Sequence, residues 1–288
     1  MSLFGRKAVE EPSPAKRAAP VIVVGNEKGG CGKSTTAMHL IIGLSELGYR
    51  VASLDLDIRQ SSLTRYIANR QVYANAANKD ISMPVHYSGS EITGDDTTQT
   101  DASRAAERLQ FIIDGARINH DVLVIDTPGS DSPLSRIAHG AADLLVTPVN
   151  DSFVDLDVLG HIDARRKQVL GPSHYSEMVL EKRLTRESDG APPFGWFVIR
   201  NRIGTLDSHN AQDVEWALKE LSTAMNFRVM PGFSERVIFR ELFLVGLTIL
   251  DLKEASGGKP LSPSHMAARE EVRGLVSAIV DTAIIPGN

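Results

Sequence analysis

Short apolar stretches recur along the chain, and three of them lead directly into glycine or aspartate. Residues 122–125, Val-Leu-Val-Ile, are apolar at every position, which is typical of a strand buried on both faces of a parallel sheet. Similar stretches predict the other strands, and the full set is 21–25, 49–57, 122–125, 143–149, 195–199 and 227–230.

Apolar residues at helical spacing fill the segments between these strands. Leu40, Ile41, Leu44 and Leu47 share one helical face after the first strand, and Gly48 ends the pattern. Because strands and helices alternate, we predict an α/β fold with a doubly wound, mostly parallel sheet flanked by helices. Further helices are predicted at 59–74, 102–116, 155–169, 207–225 and 265–283.

Three segments fall outside this alternation. Residues 1–19 mix proline, alanine and charged residues without periodicity, which predicts a disordered tail. Residues 75–100 predict an irregular, mobile insertion, and the polar, breaker-rich residues 171–192 are expected to be exposed. Since no change of composition marks a boundary, we predict a single domain over 20–288.

Composition narrows the class of protein. The 288 residues are 42% hydrophobic and 23% charged, as in ordinary globular proteins, and the formal net charge is −5. This charge gives no general attraction to nucleic acid, so DNA binding requires a local basic patch. No apolar run approaches the roughly twenty residues that span a bilayer, and the N-terminus lacks the apolar core of a signal peptide. We therefore expect a cytoplasmic protein without membrane attachment.

The segment GNEKGGCGKST follows the first predicted strand and precedes a predicted helix. Backbone N–H groups of such a loop, with the helix N-terminus, bind phosphate, and the lysine reaches the terminal phosphates. Lys33 is that lysine, and the Ser34 hydroxyl is placed to join an Mg²⁺ shell. The remaining residues predicted to bind nucleotide are Gly29, Gly30, Cys31, Gly32 and Thr35.

Aspartates stand at the ends of two predicted strands. Asp126 ends the most apolar strand, and Asp55 and Asp57 end the second. Open α/β sheets bind ligands at the carboxyl ends of their strands, so these carboxylates are expected beside the phosphate loop. We predict that Asp126 holds Mg²⁺ through water and that Asp55 also contributes to the metal site.

Two other cofactor classes are disfavoured. Cys31 is the only cysteine, so an iron–sulfur cluster bound by two cysteines of each subunit is excluded, and we interpret Cys31 as a small filler of the loop. The guanine-reading pattern N-K-x-D is missing, because the only Asn-Lys pair, Asn78 and Lys79, is followed at once by Asp80. ATP is favoured over GTP.

The loop variant K-G-G-x-G-K-[ST] resembles the deviant Walker A loop of the ParA/MinD family of P-loop ATPases. The resemblance implies slow, Mg²⁺-dependent ATP hydrolysis by an ATP-bound homodimer, in which Lys28 reaches the nucleotide of the other subunit. It also implies that Asp57 orients the attacking water and that DTPGSDS, residues 126–132, is the switch II segment that senses the γ-phosphate. Asn201 matches the adenine-reading position, although an ordinary turn asparagine explains it equally well.

Longer stretches, including DTPGSDSPLSRIAHGAADLLVTPVNDSFVDLDVLG and ERVIFRELFLVGLTILDL, resemble the MipZ branch of this family. That resemblance implies a nucleoid-associated regulator of cell division that binds a ParB-like protein and nonspecific DNA and inhibits FtsZ assembly. Two alternatives stay open. One is a ParA-type ATPase for chromosome, plasmid or cargo positioning, and the other is a nucleotide-binding scaffold with little hydrolysis.

Nonspecific DNA binding requires clustered basic residues. The predicted helix 207–225 carries four acidic residues against Lys219, so it does not supply them. Pairing with neighbours such as Glu235 and Glu241 is the alternative role for the arginines that remain. The candidate DNA contacts are Arg200, Arg202, Arg228, Arg236 and Arg240.

Overall fold

The computed structural model describes residues 18–93, 102–163, 166–202 and 209–284. The helices are α1 Lys33–Glu46, α2 Ser62–Ala77, α3 Gly89–Thr93, α4 Ala102–Asn119, α5 Pro133–Ala141, α6 Phe153–Leu156, α7 His174–Ser188, α8 His209–Met225, α9 Ile238–Val245, α10 Leu252–Ala255 and α11 Pro263–Ile279, which continues as a π-helical turn, Val280–Ile284. The strands are β1 Val21–Val24, β2 Val51–Asp55, β3 Val85–Tyr87, β4 Val122–Asp126, β5 Leu144–Asn150, β6 Gly160–Asp163, β7 Gln168–Pro172, β8 Gly195–Asn201 and β9 Arg228–Met230.

Seven of the described strands form one parallel sheet in the order β3-β2-β4-β1-β5-β8-β9. Strand β1 therefore lies at the centre, between β4 and β5. Its alternate residues enter two different cores: Val21 and Val23 face one side, and Ile22 and Val24 face the other. Helices cover both faces, which explains why the central strands are apolar at every position.

This architecture confirms the predicted α/β fold with a parallel sheet flanked by helices. All six predicted strands are present within the described residues. The predicted tail falls almost wholly in residues 1–17, and both this part and the end of the predicted insertion, 94–100, lie outside the described residues.

Two predictions for the second half of the chain are wrong. Residues 155–169 do not form one helix, because α6 ends at Leu156 and is followed by the antiparallel pair β6–β7. A Cβ at Gly160 would lie 2.7 Å from the Leu221 side chain and 2.8 Å from the Gly171 oxygen, so this glycine permits a close strand contact. The segment 171–192, expected to be exposed, contains α7, in which Tyr175, Met178 and Val179 are buried.

The prediction for 75–100 is also partly wrong. Strand β3 pairs with β2 at the sheet edge, with Ser53 opposite His86, and α3 follows it. The three-residue strand has too little apolar pattern to be predicted from the sequence. It is a strand because it pairs with β2. Helix α5 was not predicted at all, although Ser132 caps it by accepting a hydrogen bond from the Ser135 N–H at 3.1 Å.

Candidate functional site

The phosphate loop leaves β1 and enters α1 with two residues in the left-handed region, Gly30 at φ 73° and Gly32 at φ 91°. Glycine adopts this conformation without strain, which explains both positions. Lys33 is the first residue of α1, and its Nζ donates to the Lys28 carbonyl at 2.8 Å. The loop thus curls around the lysine that the sequence predicted as a phosphate contact.

Cys31 lies inside this loop and is buried. Its thiol donates to the Lys28 carbonyl at 3.3 Å, and burial raises the pKa of the Cys31 thiol. A raised pKa keeps the thiol protonated and unreactive. The interpretation of Cys31 as a small loop filler agrees with this environment.

Asn26 supports the same loop, and the sequence analysis did not identify it. Its Nδ2 donates to the Pro148 carbonyl of β5 at 2.6 Å, and its Oδ1 accepts the Lys28 N–H at 2.7 Å. An asparagine two residues after a central strand was the available signal, because such side chains commonly bond their own backbone two residues on.

Lys28 is held by α6 rather than by the phosphate loop. Its Nζ lies 2.6 Å from Asp155 Oδ1 and donates to the Val154 carbonyl at 2.8 Å. The switch II segment lies close by, since a Cβ at Gly129 would be 3.2 Å from the Gly29 Cα. In this conformation the lysine that is expected to act on a second subunit is engaged within its own chain.

The sheet places Asp55 and Asp126 side by side, because they are partners in the register of β2 and β4. Both oxygens of Asp126 are buried and make no hydrogen bond of normal geometry with the described residues. Burial raises the pKa of Asp126 to about 8, and the Asp55 carboxylate adds to the rise, while Ser34 and Lys33 oppose it. Burial likewise raises the pKa of Asp55.

A buried carboxylate without a partner fits a divalent cation. Mg²⁺ prefers oxygen ligands and usually retains several waters, so one carboxylate and one hydroxyl beside the phosphates suffice. Asp126 and Ser34 provide these groups. Asp55 is less available, because its oxygens accept hydrogen bonds from the Thr64 N–H and hydroxyl and from the Asp57 N–H, at 2.9 to 3.0 Å.

Asp57 lines the same cavity as the phosphate loop. Its backbone is held by Asp55 Oδ1 at 3.0 Å, and its own Oδ1 accepts the Gln60 N–H at 3.0 Å. Asp55 therefore positions Asp57, which is a connection that strand-end aspartates alone do not reveal.

Asn201 forms a hydrogen bond to the backbone of the phosphate loop. Its Nδ2 donates to the Cys31 carbonyl at 2.9 Å, and its Oδ1 accepts the Phe233 N–H at 3.3 Å. A Cβ at Gly32 would lie 2.7 Å from Asn201 Nδ2, so glycine is required there for this contact as well. The adenine-reading role stays a prediction, since the amide is already used within the chain.

The site opens into a cavity of about 1350 Å³ that Arg202 and Arg240 help to line. Two other candidate arginines are paired: Arg200 lies 2.7 Å from Asp151, and Arg236 lies 2.6 Å from Glu271. The Arg228 guanidinium stacks over the Phe197 ring at 5.3 Å. Pairing therefore occurs, but with partners distant in sequence rather than with Glu235 or Glu241.

A parallel sheet with a glycine-rich phosphate loop at its central strand and aspartates on the neighbouring strands defines a P-loop nucleoside triphosphatase of the MinD and ParA type. The sequence profile of one such family, described as ATPase MipZ, matches residues 20–281. The chain belongs to the MipZ family and is an ATPase. This confirms the resemblance noted in the sequence.

Curated relatives match a smaller part of the chain. The septum site-determining protein MinD of Helicobacter pylori is 30% identical over 59% of this chain and 68% of its own length. The chromosome-partitioning ATPase Soj of Thermus thermophilus is 30% identical, over 51% and 61% respectively. The chain thus spans about two thirds of the relatives it matches. The names of both relatives describe positioning or partitioning. The family match supports a role in cell division.

Solved structures show the same fold. The apo McdA structure from Cyanothece aligns with a TM-score of 0.57 and 19% identity, covering 88% of this chain and 99% of McdA. MinD of Pyrococcus horikoshii, solved with Mg-ADP, aligns with a TM-score of 0.54 and 17% identity, covering 91% and 98%. Among the described residues of our chain, none of the helices has the length and apolarity needed to cross a membrane.

Proposed function

We propose that this protein is a spatial regulator of cell division that dimerises with ATP, binds a ParB-like protein and nonspecific DNA, and inhibits FtsZ assembly. The observation that carries the proposal is the match to the MipZ family over residues 20–281, which extends far beyond the phosphate loop. Its site of action is then the cytoplasm, in association with the nucleoid. Residues 20–288 act as one domain in this proposal.

The residues of the site receive specific roles in the proposal. Phosphoryl transfer depends on positioning and charge, so the loop from Gly29 to Thr35 binds the phosphates, with Lys33 at their outer end. Ser34 and Asp126 hold Mg²⁺, which neutralises charge on the phosphates. Asp57 orients the attacking water, and Lys28 acts on the nucleotide of a second subunit.

A sedimentation assay tests the effect on FtsZ. FtsZ polymers formed with GTP are pelleted in the presence of this protein with ATP, with ADP, or as the Lys28→Ala variant with ATP. We expect the wild-type protein with ATP to reduce pelleted FtsZ severalfold, and the two controls to leave it unchanged. Equal FtsZ pellets in all three samples would refute the inhibition.

Arg202 and Arg240 are the best placed of the five candidate DNA contacts, because they line the open cavity, whereas Arg236, which also lines it, is paired with Glu271. We expect Arg240→Ala to weaken binding of the ATP-bound dimer to a random DNA duplex. The slope of log binding constant against log salt concentration should become shallower by about one. Arg50→Ala removes the same charge but lies before β2, at the opposite end of the strands, and serves as the matched control. A dimer that ignores DNA at low salt would exclude this part of the proposal.

The alternative is a ParA-type partitioning or cargo-positioning ATPase, which the match to Soj and the 26% identity to ParA of Caulobacter vibrioides favour. ATP turnover with and without DNA and a ParB-like protein separates the alternatives. Stimulated turnover without any effect on FtsZ would favour partitioning, whereas negligible turnover under all conditions would favour a nucleotide-binding scaffold.

A further inference from the structure

A buried tyrosine contacts the residue at which the phosphate loop begins. Tyr175, near the start of α7, is only 1% exposed, and its hydroxyl donates to the Gly25 carbonyl at 2.9 Å. Gly25 directly follows β1, and Asn26 after it is bound to β5. The first two residues of the loop are therefore each bonded to another element, α7 and β5 respectively.

The hydrogen atoms around this hydroxyl can be assigned from donor chemistry. Trp196 Nε1 is a donor only, and it donates to Thr147 Oγ1 at 3.0 Å. The Gly25 carbonyl can only accept, so the Tyr175 hydroxyl donates its hydrogen to it. The Tyr175 oxygen then accepts from the Thr147 hydroxyl, 3.1 Å away.

His139 of α5 is the second acceptor within reach of this hydrogen. Its Nδ1 lies 2.7 Å from the Ser135 carbonyl, so Nδ1 carries the proton and Nε2 presents a lone pair to the Tyr175 hydroxyl at 3.3 Å. The Gly25 carbonyl is closer, so it receives the hydrogen. The Tyr175 hydroxyl therefore contacts both the start of the loop and α5, which is the helix that follows switch II.

The start of α7 is fixed in place. Ser173 caps the helix by accepting the Ser176 N–H at 3.1 Å and donates to the Val158 carbonyl at 2.5 Å. Ser176 Oγ donates to the Leu159 carbonyl at 2.5 Å. Tyr175 lies between these two anchored serines, so its hydroxyl has little freedom to follow a displaced loop.

We propose that Tyr175 is a positioning residue for nucleotide binding. Its hydroxyl holds the Gly25 carbonyl so that the loop is already in a phosphate-binding conformation before nucleotide arrives. A preformed loop loses less conformational freedom on binding, which increases affinity. This inference rests on nucleotide binding by the loop, which the proposed function also requires, but not on the partners named there.

Tyr175→Phe removes only the hydroxyl and tests the proposal. Titration with a fluorescent ATP analogue should show about tenfold weaker binding, because the Gly25 carbonyl loses its hydrogen bond from Tyr175. We expect KM for ATP to rise by a similar factor while kcat changes less than threefold. Thermal unfolding without nucleotide measures the general loss of stability separately.

Tyr66→Phe is the matched control. Tyr66 is fully buried, and its hydroxyl donates to the Leu247 carbonyl at 2.7 Å on the other face of the sheet. Both variants should lose similar stability, but only Tyr175→Phe should lose nucleotide affinity. The proposal is overturned if Tyr175→Phe binds within twofold of wild type, or if both variants lose affinity equally.

A second variant covers the case in which Tyr175→Phe does not fold. His139→Leu removes the competing acceptor and retains the bond from Tyr175 to Gly25, so we expect affinity within threefold of wild type. A tenfold loss would show that the network as a whole, rather than Tyr175, supports the loop. Failure of FtsZ or ParB binding leaves these nucleotide titrations unaffected, so the two proposals fail independently.

Discussion

Asp126 is the residue at which stability and function conflict. Its carboxylate is fully buried without a normal hydrogen bond from the described residues, and Asp55 lies next to it in the sheet. A buried charge without compensation destabilises a fold, and sites of this kind persist where a ligand provides the compensation.

We expect Asp126→Asn to increase the free energy of unfolding of the nucleotide-free protein by about 1 to 3 kcal/mol, because the amide is neutral and avoids the cost of taking up a proton when the carboxyl is buried. The same variant should lose at least a hundredfold in Mg²⁺-dependent ATP turnover. Chemical denaturation and a phosphate-release assay measure the two effects. A variant that is less stable than wild type at neutral pH would contradict this account of the site.

Lys28 is the second residue whose environment bears on function. Its ion pair with Asp155 at 2.6 Å must break before the lysine can reach another subunit. We therefore expect Asp155→Asn to dimerise at lower ATP concentration, by a factor of about three to ten, which sedimentation velocity across an ATP titration would show.

Asp157→Asn is the control for this experiment, since Asp157 is exposed and lies two residues away. It removes the same charge without touching Lys28, so its dimerisation curve should match that of wild type. If Asp155→Asn and Asp157→Asn shift the curve equally, net charge rather than release of Lys28 is responsible.

At the scale of elements, the link between α2 and the segment before α10 is a buried ion pair. Arg70 is 0% exposed and donates to both oxygens of Asp251 at 2.7 and 2.8 Å. It also donates to the carbonyls of Ser82 and Gly246. Arg70 thus joins α2 to the two chain segments beside it.

We expect Arg70→Met to lower the free energy of unfolding by about 3 to 5 kcal/mol, because Asp251 and two carbonyls lose their partner in the interior. Arg50→Met is the comparison, since Arg50 forms an equally bidentate pair with Asp121 but is 55% exposed. That variant should lose much less stability, because solvent screens an exposed ion pair. Equal losses in urea denaturation would mean that burial does not control the strength of these pairs.

The wrong element predictions share one physical cause. Helix α7 has a polar surface, yet Tyr175, Met178 and Val179 form a narrow apolar stripe that packs against the sheet. Among the described strands, β6 and β7 pair only with each other, and β3 pairs only with β2. Elements stabilised mainly by contacts with distant residues show little pattern of their own.

At the scale of the whole molecule, two apolar cores lie on opposite faces of one sheet, and a buried histidine packs against each core. His39 packs beside Phe233 and Phe239 on one face, and His139 packs beside Tyr175 on the other. Burial lowers the pKa of His39 and of His139 to about 4. The continuous cores support the prediction of a single domain over 20–288, which stays a prediction.

These histidines make stability depend on pH. The unfolded state binds their protons near pH 6.5 and the folded state only near pH 4, so their stabilising contribution is present above pH 6.5 and is lost as the pH falls toward 4. Between pH 7.5 and pH 5, we expect the free energy of unfolding of His39→Gln to fall by about 2 kcal/mol less than that of wild type.

Guanidinium denaturation at both pH values measures this difference. His161→Gln changes an exposed histidine on β6 and should keep the pH dependence of wild type. A His39→Gln variant with the wild-type pH dependence would show that His39 does not contribute to acid sensitivity.

The parts of this protein that sequence reasoning predicted are those encoded locally. The loop from Gly29 to Thr35, the aspartates at strand ends and the buried central strands depend on neighbours within a few positions, so periodicity and spacing reveal them. The fold, the family and the ATPase activity followed from these segments. The comparisons confirmed all three.

The remaining features depend on which distant segments the sheet order brings together. Register places Asp55 beside Asp126, while packing brings Asp155 to Lys28 and Tyr175 to Gly25. No local pattern specifies these pairs, because each joins residues on different elements whose approach is set by the order of strands across the sheet. Only the tertiary structure decided which residues anchor the loop and which carboxylate pairs with Lys28.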